Sequence, residues 1–134
     1  SGQLHARLRA DSRVIALEAT DARKLDLSVV PEPVSAIVAD VSFISLTLVL
    51  PAALALAAPG AWLAALIKPQ FEAGREAVGK GGVVRREEDR QRAVARVREF
   101  VETQPSWEVL GVIASPIEGG SGNREFLLGA GYGD

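Results

Sequence analysis

Three stretches of this chain are nearly unbroken apolar runs, and each stops on a charged residue. Val14 to Leu17 is followed by Glu18, Val34 to Ala39 by Asp40, and Trp62 to Ile67 by Lys68. A strand with one wet face alternates apolar and polar side chains, whereas a strand covered on both faces reads as a continuous run. The runs therefore predict a parallel sheet in an α/β layer structure, with helices on both faces. In open sheets of that kind ligands bind outside the carboxyl ends of the strands. Glu18, Asp40 and Lys68 all fall at those ends.

The segments between the runs supply the other elements. Leu4 to Ala10 reads as the stub of a helix. Leu46 to Ala58 reads as a buried helix, with Ser45 as its N-cap and Pro51 in or near its first turn. Pro59-Gly60 then reads as a turn before the third strand. Glu87 to Thr103 is the clearest helix, because Ala93, Val94, Val97, Phe100 and Val101 share one face at helical spacing. Trp107 to Ile113 reads as a fourth strand, and Glu125 to Leu128 as a fifth after the Gly-rich loop from Glu118 to Gly122.

The stretch Val41 to Ile67 is apolar enough to mimic a membrane span. Pro51, Pro59 and Gly60 interrupt it, and Asp40 and Lys68 bracket it, so it reads as buried helix and strand. The mixed, charged N-terminus shows no signal-peptide pattern, so a cytoplasmic protein with no membrane partner is expected. The 134 residues are 48% hydrophobic and 24% charged, the composition of a folded domain. A formal charge of −2 excludes a strongly basic nucleic-acid wrapper but leaves room for a local basic patch. There is no cysteine and the only histidine is His5, which argues against thiol nucleophiles, Ser-His-Asp triads and thiolate or histidine metal sites. No metal is expected. The chain opens Ser1-Gly2-Gln3 and contains no methionine, and it reads as a piece of something longer.

Taken singly, the charged strand ends are unremarkable. Asp40 could be a strand-end acid capping the next turn, Lys68 a snorkelling surface lysine, and Glu125 an edge charge. If their strands are neighbours, however, two carboxylates and an ammonium converge at one sheet edge. A lysine between two acids is oriented and kept charged until substrate arrives, and can lower the effective pKa of a sugar hydroxyl, or accept its proton if desolvation drops its own pKa, for attack on an electrophile. Gly79-Lys80-Gly81-Gly82-Val83 lacks the ending of a nucleotide phosphate loop and does not follow a strand directly. The arginines at 85, 86, 90, 92, 96 and 98 are interleaved with acids and form mostly a solvated helix face. Arg75, Lys80, Arg85 and Arg86, ahead of that helix, are the ones placed to meet a phosphate backbone.

Several of these segments, in order, resemble one family. They are Ala39-Asp40-Val41-Ser42-Phe43-Ile44-Ser45-Leu46, Ile67-Lys68-Pro69-Gln70-Phe71-Glu72, Gly79-Lys80-Gly81-Gly82-Val83-Val84-Arg85, Ser115-Pro116-Ile117 and Gly122-Asn123-Arg124-Glu125-Phe126. They resemble the TlyA family, often labelled hemolysins, which is similar to FtsJ-type S-adenosylmethionine-dependent ribosomal RNA 2′-O-methyltransferases. The resemblance implies a Rossmann-like methyltransferase sheet with a Lys-Asp-Lys-Glu catalytic set. Asp40, Lys68 and Glu125 match its Asp, second Lys and Glu. It also implies that Glu18, Asp21, Asp40, Ser42 and Phe43 lie on the cofactor side, with Asp21 in the adenine-side loop.

The same comparison implies what is absent. The family's first lysine, its Gly-rich cofactor loop, the acid that holds the cofactor ribose and its S4-type RNA-binding domain have no counterpart in residues 1–134. The chain is then a partial FtsJ-like methyltransferase domain, a truncated Rossmann-like sheet lacking the first two strands. In the parent fold those strands lie between the Val14 to Leu17 and Val34 to Ala39 strands. The two are therefore expected either to pair directly or to pair between copies, giving a homo-oligomer through the exposed edges. Three functions remain open here: a ribosomal RNA methyltransferase, a catalytically inactive RNA- or protein-binding module with an incomplete cofactor pocket, and a hemolysin-like membrane-lytic protein.

Overall fold

The computed structural model describes residues 14–17 (as backbone), 34–42, 44–115 and 122–133. Its strands are β1 (Val14–Leu17), β2 (Val34–Ala39), β3 (Ala57–Ile67), β4 (Trp107–Ala114) and β5 (Phe126–Tyr132). Its helices are α1 (Leu46–Leu54), the single turn α2 (Pro69–Glu72) and α3 (Glu87–Glu102). The strands form one sheet in the order β1-β2-β3-β5-β4. β1, β2 and β3 run parallel. β5 enters between β3 and β4 and is antiparallel to both. The result is the truncated Rossmann-like α/β sheet expected. The proposed helix stub at Leu4 to Ala10 lies outside the described residues.

β1 and β2 join each other directly. β1 pairs with β2 in continuous parallel register from Val14 with Ala36 to Leu17 with Ala39. This ladder satisfies within one chain the edges for which pairing between copies was the alternative.

Core packing explains the positions of the helices. On β3, Ala61, Leu63, Ala65 and Ile67 are buried, and they share a face with Ile37 and Ala39 of β2 and with Leu128 and Ala130 of β5. Leu46, Val49, Leu50, Ala53 and Leu54 of α1 and Val97 and Val101 of α3 complete the same cluster. Burying each Leu or Val side chain contributes roughly 1.5–3 kcal/mol. The α3 face read from the sequence is the face it buries, and Glu87, Glu88 and Asp89 sit in its first turn, where the helix dipole favours acids. No described helix packs on the opposite face, where Trp62, Leu110, Ile113 and Leu127 are exposed. β3 therefore alternates in burial although its sequence is an apolar run.

Two boundaries differ from the sequence reading. α1 stops at Leu54, with Pro51 in its second turn, just past the first. β3 begins at Ala57 and runs through Pro59-Gly60. The register with β2 jumps from Val34–Ala57 to Ala36–Trp62, so β3 bulges between those rungs. A bulge leaves residues unpaired, which suits a proline without an N–H and a glycine at φ 83°. The residues read as a turn are thus an irregularity inside a strand.

Leu50 is fully buried in α1 whereas Leu48, two residues earlier, is 55% exposed. Leu50→Ala is expected to lower unfolding stability by about 2–5 kcal/mol in urea denaturation. Leu48→Ala is expected to change it by less than about 0.5 kcal/mol.

Candidate active site

The carboxyl ends of β2 and β3 bring an acid and a lysine into contact. Lys68 Nζ lies 2.6 Å from Asp40 Oδ1 and donates to Ser42 Oγ at 3.1 Å. The backbone explains why Lys68 is placed there. Pro69 is the first residue of α2, and the residue before a proline is steered away from helical geometry. Lys68 accordingly stays extended, at φ −110° and ψ 100°, and continues the line of β3. Its side chain is 14% exposed and that of Asp40 is 41% exposed. The ammonium is thus sheltered while its carboxylate partner faces the opening.

Glu125 comes to the same end of the sheet by a different route. The last rung between β3 and β5 pairs Ile67 with Phe126, so Lys68 and Glu125 are the next residues on their respective chains. Glu125 is buried, and its Oε2 accepts from Gln70 Nε2 at 3.1 Å. Of the sequence-derived catalytic set, Asp40 and Lys68 are in direct contact, and Glu125 is held beside them by Gln70. Ser42, read as a cofactor-side residue, bonds the lysine. Glu18, Asp21 and Phe43 lie outside the described residues.

Two residues with no assigned role in the sequence reading hold this arrangement together. Glu72 is buried and joins the loop after β2 to the turn after β3. Its Oε1 accepts from Ser45 Oγ at 2.6 Å and its Oε2 from the Leu46 backbone N–H at 2.8 Å, while Ser45 Oγ in turn accepts from Thr47 N–H. The N-terminus of α1 is thereby capped by its own serine and by a carboxylate 26 residues away. Burial pushes the Glu72 carboxyl above its ordinary value, opposed by the hydrogen bonds from Ser45 and Leu46 and by the charge of Arg96. Asn123 is the second such residue. It accepts from Val84 N–H at 2.9 Å and donates to the Gly82 carbonyl at 2.8 Å, anchoring the 80–84 loop to the approach of β5. The sequence signal for both was their place in the quoted motifs, beside Phe71 and Glu125.

The arginines behave largely as a solvated helix face. Arg92 pairs with Asp89, Arg86 with Glu88, Arg90 with Glu87 and Arg98 with Glu102. Next to the site lies an open cleft of about 890 Å³. Ile44, Leu48, Phe71 and Val78 give it apolar walls, and Gln70 and Arg75 give it polar ones.

A parallel sheet that delivers an acid and a lysine at its carboxyl ends, joined by an antiparallel strand that a second acid immediately precedes, defines a Rossmann-like domain of the methyltransferase type. The model of the FtsJ-like methyltransferase family matches residues 1–132. The chain belongs to the FtsJ-like methyltransferase family and matches TlyA proteins within it. It is 46% identical over 127 residues to the 16S/23S rRNA (cytidine-2′-O)-methyltransferase TlyA of Mycobacterium tuberculosis, covering 95% of this chain and 47% of that protein. It is 35% identical over 130 residues to Hemolysin A of Brachyspira hyodysenteriae, covering 93% of this chain and 52% of that one. The crystal structure of a presumed hemolysin from Lactococcus lactis superposes with a TM-score of 0.79 at 40% identity, covering 93% of this chain and 60% of the other. The chain spans about half the length of the curated relatives it matches.

Glu72 gives the site a pH-dependent support. Its carboxyl is raised above the ordinary value of 4.5, so the folded state holds this proton more tightly than the unfolded chain does. The stability this contributes is complete below 4.5 and is lost as pH rises through the folded-state value. The stability of the wild type relative to Glu72→Gln should therefore fall as pH rises from 4.5 toward neutrality, measured by urea denaturation at each pH. A difference independent of pH would contradict the assignment.

Proposed function

We propose that this chain carries the catalytic part of an S-adenosylmethionine-dependent methyltransferase that acts on the ribose 2′-hydroxyl of ribosomal RNA. The observation that carries the reading is Lys68, sheltered at the strand ends and bonded to Asp40 and Ser42. An ammonium has three N–H donors, and the described residues engage two of them. The third is available to a ribose hydroxyl brought to the same opening. As negative charge builds on the hydroxyl oxygen, the ammonium stabilises it in a partly dehydrated setting. Asp40 fixes the direction of the ammonium and, being partly exposed, offers the departing proton a path to water. Glu125, held by Gln70, adds a second buried negative charge that keeps this end of the sheet suited to a cation.

The described part of the cofactor side fits this assignment. Asp40 and Ser42 place a carboxylate and a hydroxyl at the carboxyl ends of parallel strands, groups suited to a cationic sulfonium and to polar cofactor atoms. S-adenosylmethionine held on the side of Asp40 and Ser42 would supply the electrophilic methyl group for the ribose oxygen. The protein's share is positioning and electrostatics, because the methyl donor is already activated by its charge. The ribosomal RNA substrate is supported by the relative from Mycobacterium tuberculosis, whose name states rRNA cytidine 2′-O-methylation. Among the described residues no helix is long and apolar enough to cross a membrane.

A second reading rests on the direct β1–β2 ladder. These are the strands between which the family resemblance places the cofactor-loop strands. Direct pairing at that position favours an RNA- or protein-binding module as the second reading.

The test of the first reading uses the full-length parent protein and ribosomal RNA. Lys68→Met is expected to lower kcat for ribose methylation by about 10²–10⁴-fold, the usual range for a positioned acid–base group, while cofactor affinity is retained. Wild-type turnover in Lys68→Met would remove the proposed role.

A further inference from the structure

We propose that the cleft beside Lys68 is a subsite for an RNA nucleotide that flanks the methylated one, with the base against Phe71 and Leu48 and its phosphate at Arg75. The proposal rests on the RNA methyltransferase reading and adds to it the place where the substrate strand leaves the catalytic centre. Three observations carry it. The first is position: Gln70 lines the cleft and also bonds Glu125, and Phe71 N–H donates to the Lys68 carbonyl at 2.9 Å. The cleft therefore opens directly from the turn that follows the lysine. Its volume of about 890 Å³ accommodates a nucleotide.

The second observation is chemical composition. An unstacked base presents a flat apolar face and polar edges, and proteins that hold single-stranded RNA give it an aromatic or apolar wall beside a cationic group for the phosphate. Leu48 is a large apolar side chain left 55% exposed on α1, facing the cleft together with half-buried Ile44 and Phe71. Arg75 lies on the exposed rim. The α3 arginines Arg90, Arg92 and Arg96 are engaged by Glu87, Asp89 and the Glu72 carbonyl. The Arg75 guanidinium has no such partner among the described residues.

The third observation is an unmet hydrogen bond. Gln70 Nε2 is committed to Glu125, which fixes the amide orientation because the carboxylate needs a donor. Its Oε1 is buried and has no hydrogen-bond partner among the described residues. An unsatisfied buried acceptor is costly, so a small side-chain turn that brought Oε1 to a base amino group or a ribose hydroxyl in the cleft would be favoured.

The experiment uses the full-length protein and a ribosomal RNA fragment. RNA affinity is measured across a range of salt concentrations, alongside affinity for S-adenosylmethionine. Arg75→Gln is expected to weaken RNA binding about tenfold and to lower the magnitude of the salt slope by about 0.7, the value for one phosphate contact on a single strand. Phe71→Leu is expected to weaken RNA binding about tenfold with the salt slope unchanged, and Phe71→Tyr to restore it, since a ring but not a branched chain supports stacking. Cofactor affinity stays at the wild-type value in all three. Wild-type RNA affinity and salt slope in Arg75→Gln would overturn the proposal, as would a loss confined to cofactor affinity. If the unaltered protein methylates no ribose, the activity reading fails, and the RNA-binding comparison still decides the cleft.

Discussion

The contact between Lys68 and Asp40 is the constraint on which the site depends. A lysine sheltered to this degree gives up part of its hydration, and the loss is tolerated because a carboxylate and a hydroxyl replace the water. Both partners come from the segment just after β2, and the lysine comes from the end of β3. The pair can form only where two parallel strands finish side by side. The parallel β2–β3 ladder, packed against α1 and α3, brings them there. Sheet topology is in that sense the first requirement of the chemistry.

Topology alone leaves the strand-end loops free to move. Glu72 and Asn123 remove much of that freedom, each by joining segments far apart in sequence. Glu72 fastens the N-terminus of α1 to the turn that carries Lys68, Gln70 and Phe71. Asn123 fastens the Gly82–Val84 loop to the start of the strand beside Glu125. Both are buried polar groups with their hydrogen bonds made to backbone or hydroxyl partners, an arrangement that rigidifies a loop without a hydrophobic core beneath it. Positioning of this kind would serve the proposed methyl transfer, in which the electrophile brings its own charge and the protein supplies mainly geometry.

Much of this was legible from the residues. The β2 run ends at Ala39 in both sequence and structure, and the apolar face of α3 is the face it buries, because continuous runs and 3.6-residue periodicity report core contacts directly. Asp40, Lys68 and Glu125 stood out as charges ending or opening apolar strands. What stayed hidden depended on partners remote in sequence. Pro59-Gly60 carries every local mark of a turn, and only the register jump against β2 makes it a bulge within β3. β5 continues to Tyr132 through Gly129 and Gly131, which have little intrinsic strand preference, because β3 and β4 flank it on both sides. The continuous run of β3 suggested cover on both faces, yet Trp62 is exposed, since apolar composition does not say which face a neighbour occupies. Glu72 carries no local mark of burial in the sequence, and its bonds to Ser45 and Leu46 arise only from the fold.

The central claim is that Asp40 and Lys68 act as one unit in methyl transfer, and a double-mutant cycle measures that most directly. Single-turnover methylation of ribosomal RNA would be compared for the full-length protein, Asp40→Asn, Lys68→Met and the double variant. If the pair works as a unit, the double variant should be no slower than the slower of the two single variants, because removing one partner already disables the other. Rate losses that add in free energy across the two positions would show independent roles and contradict the account.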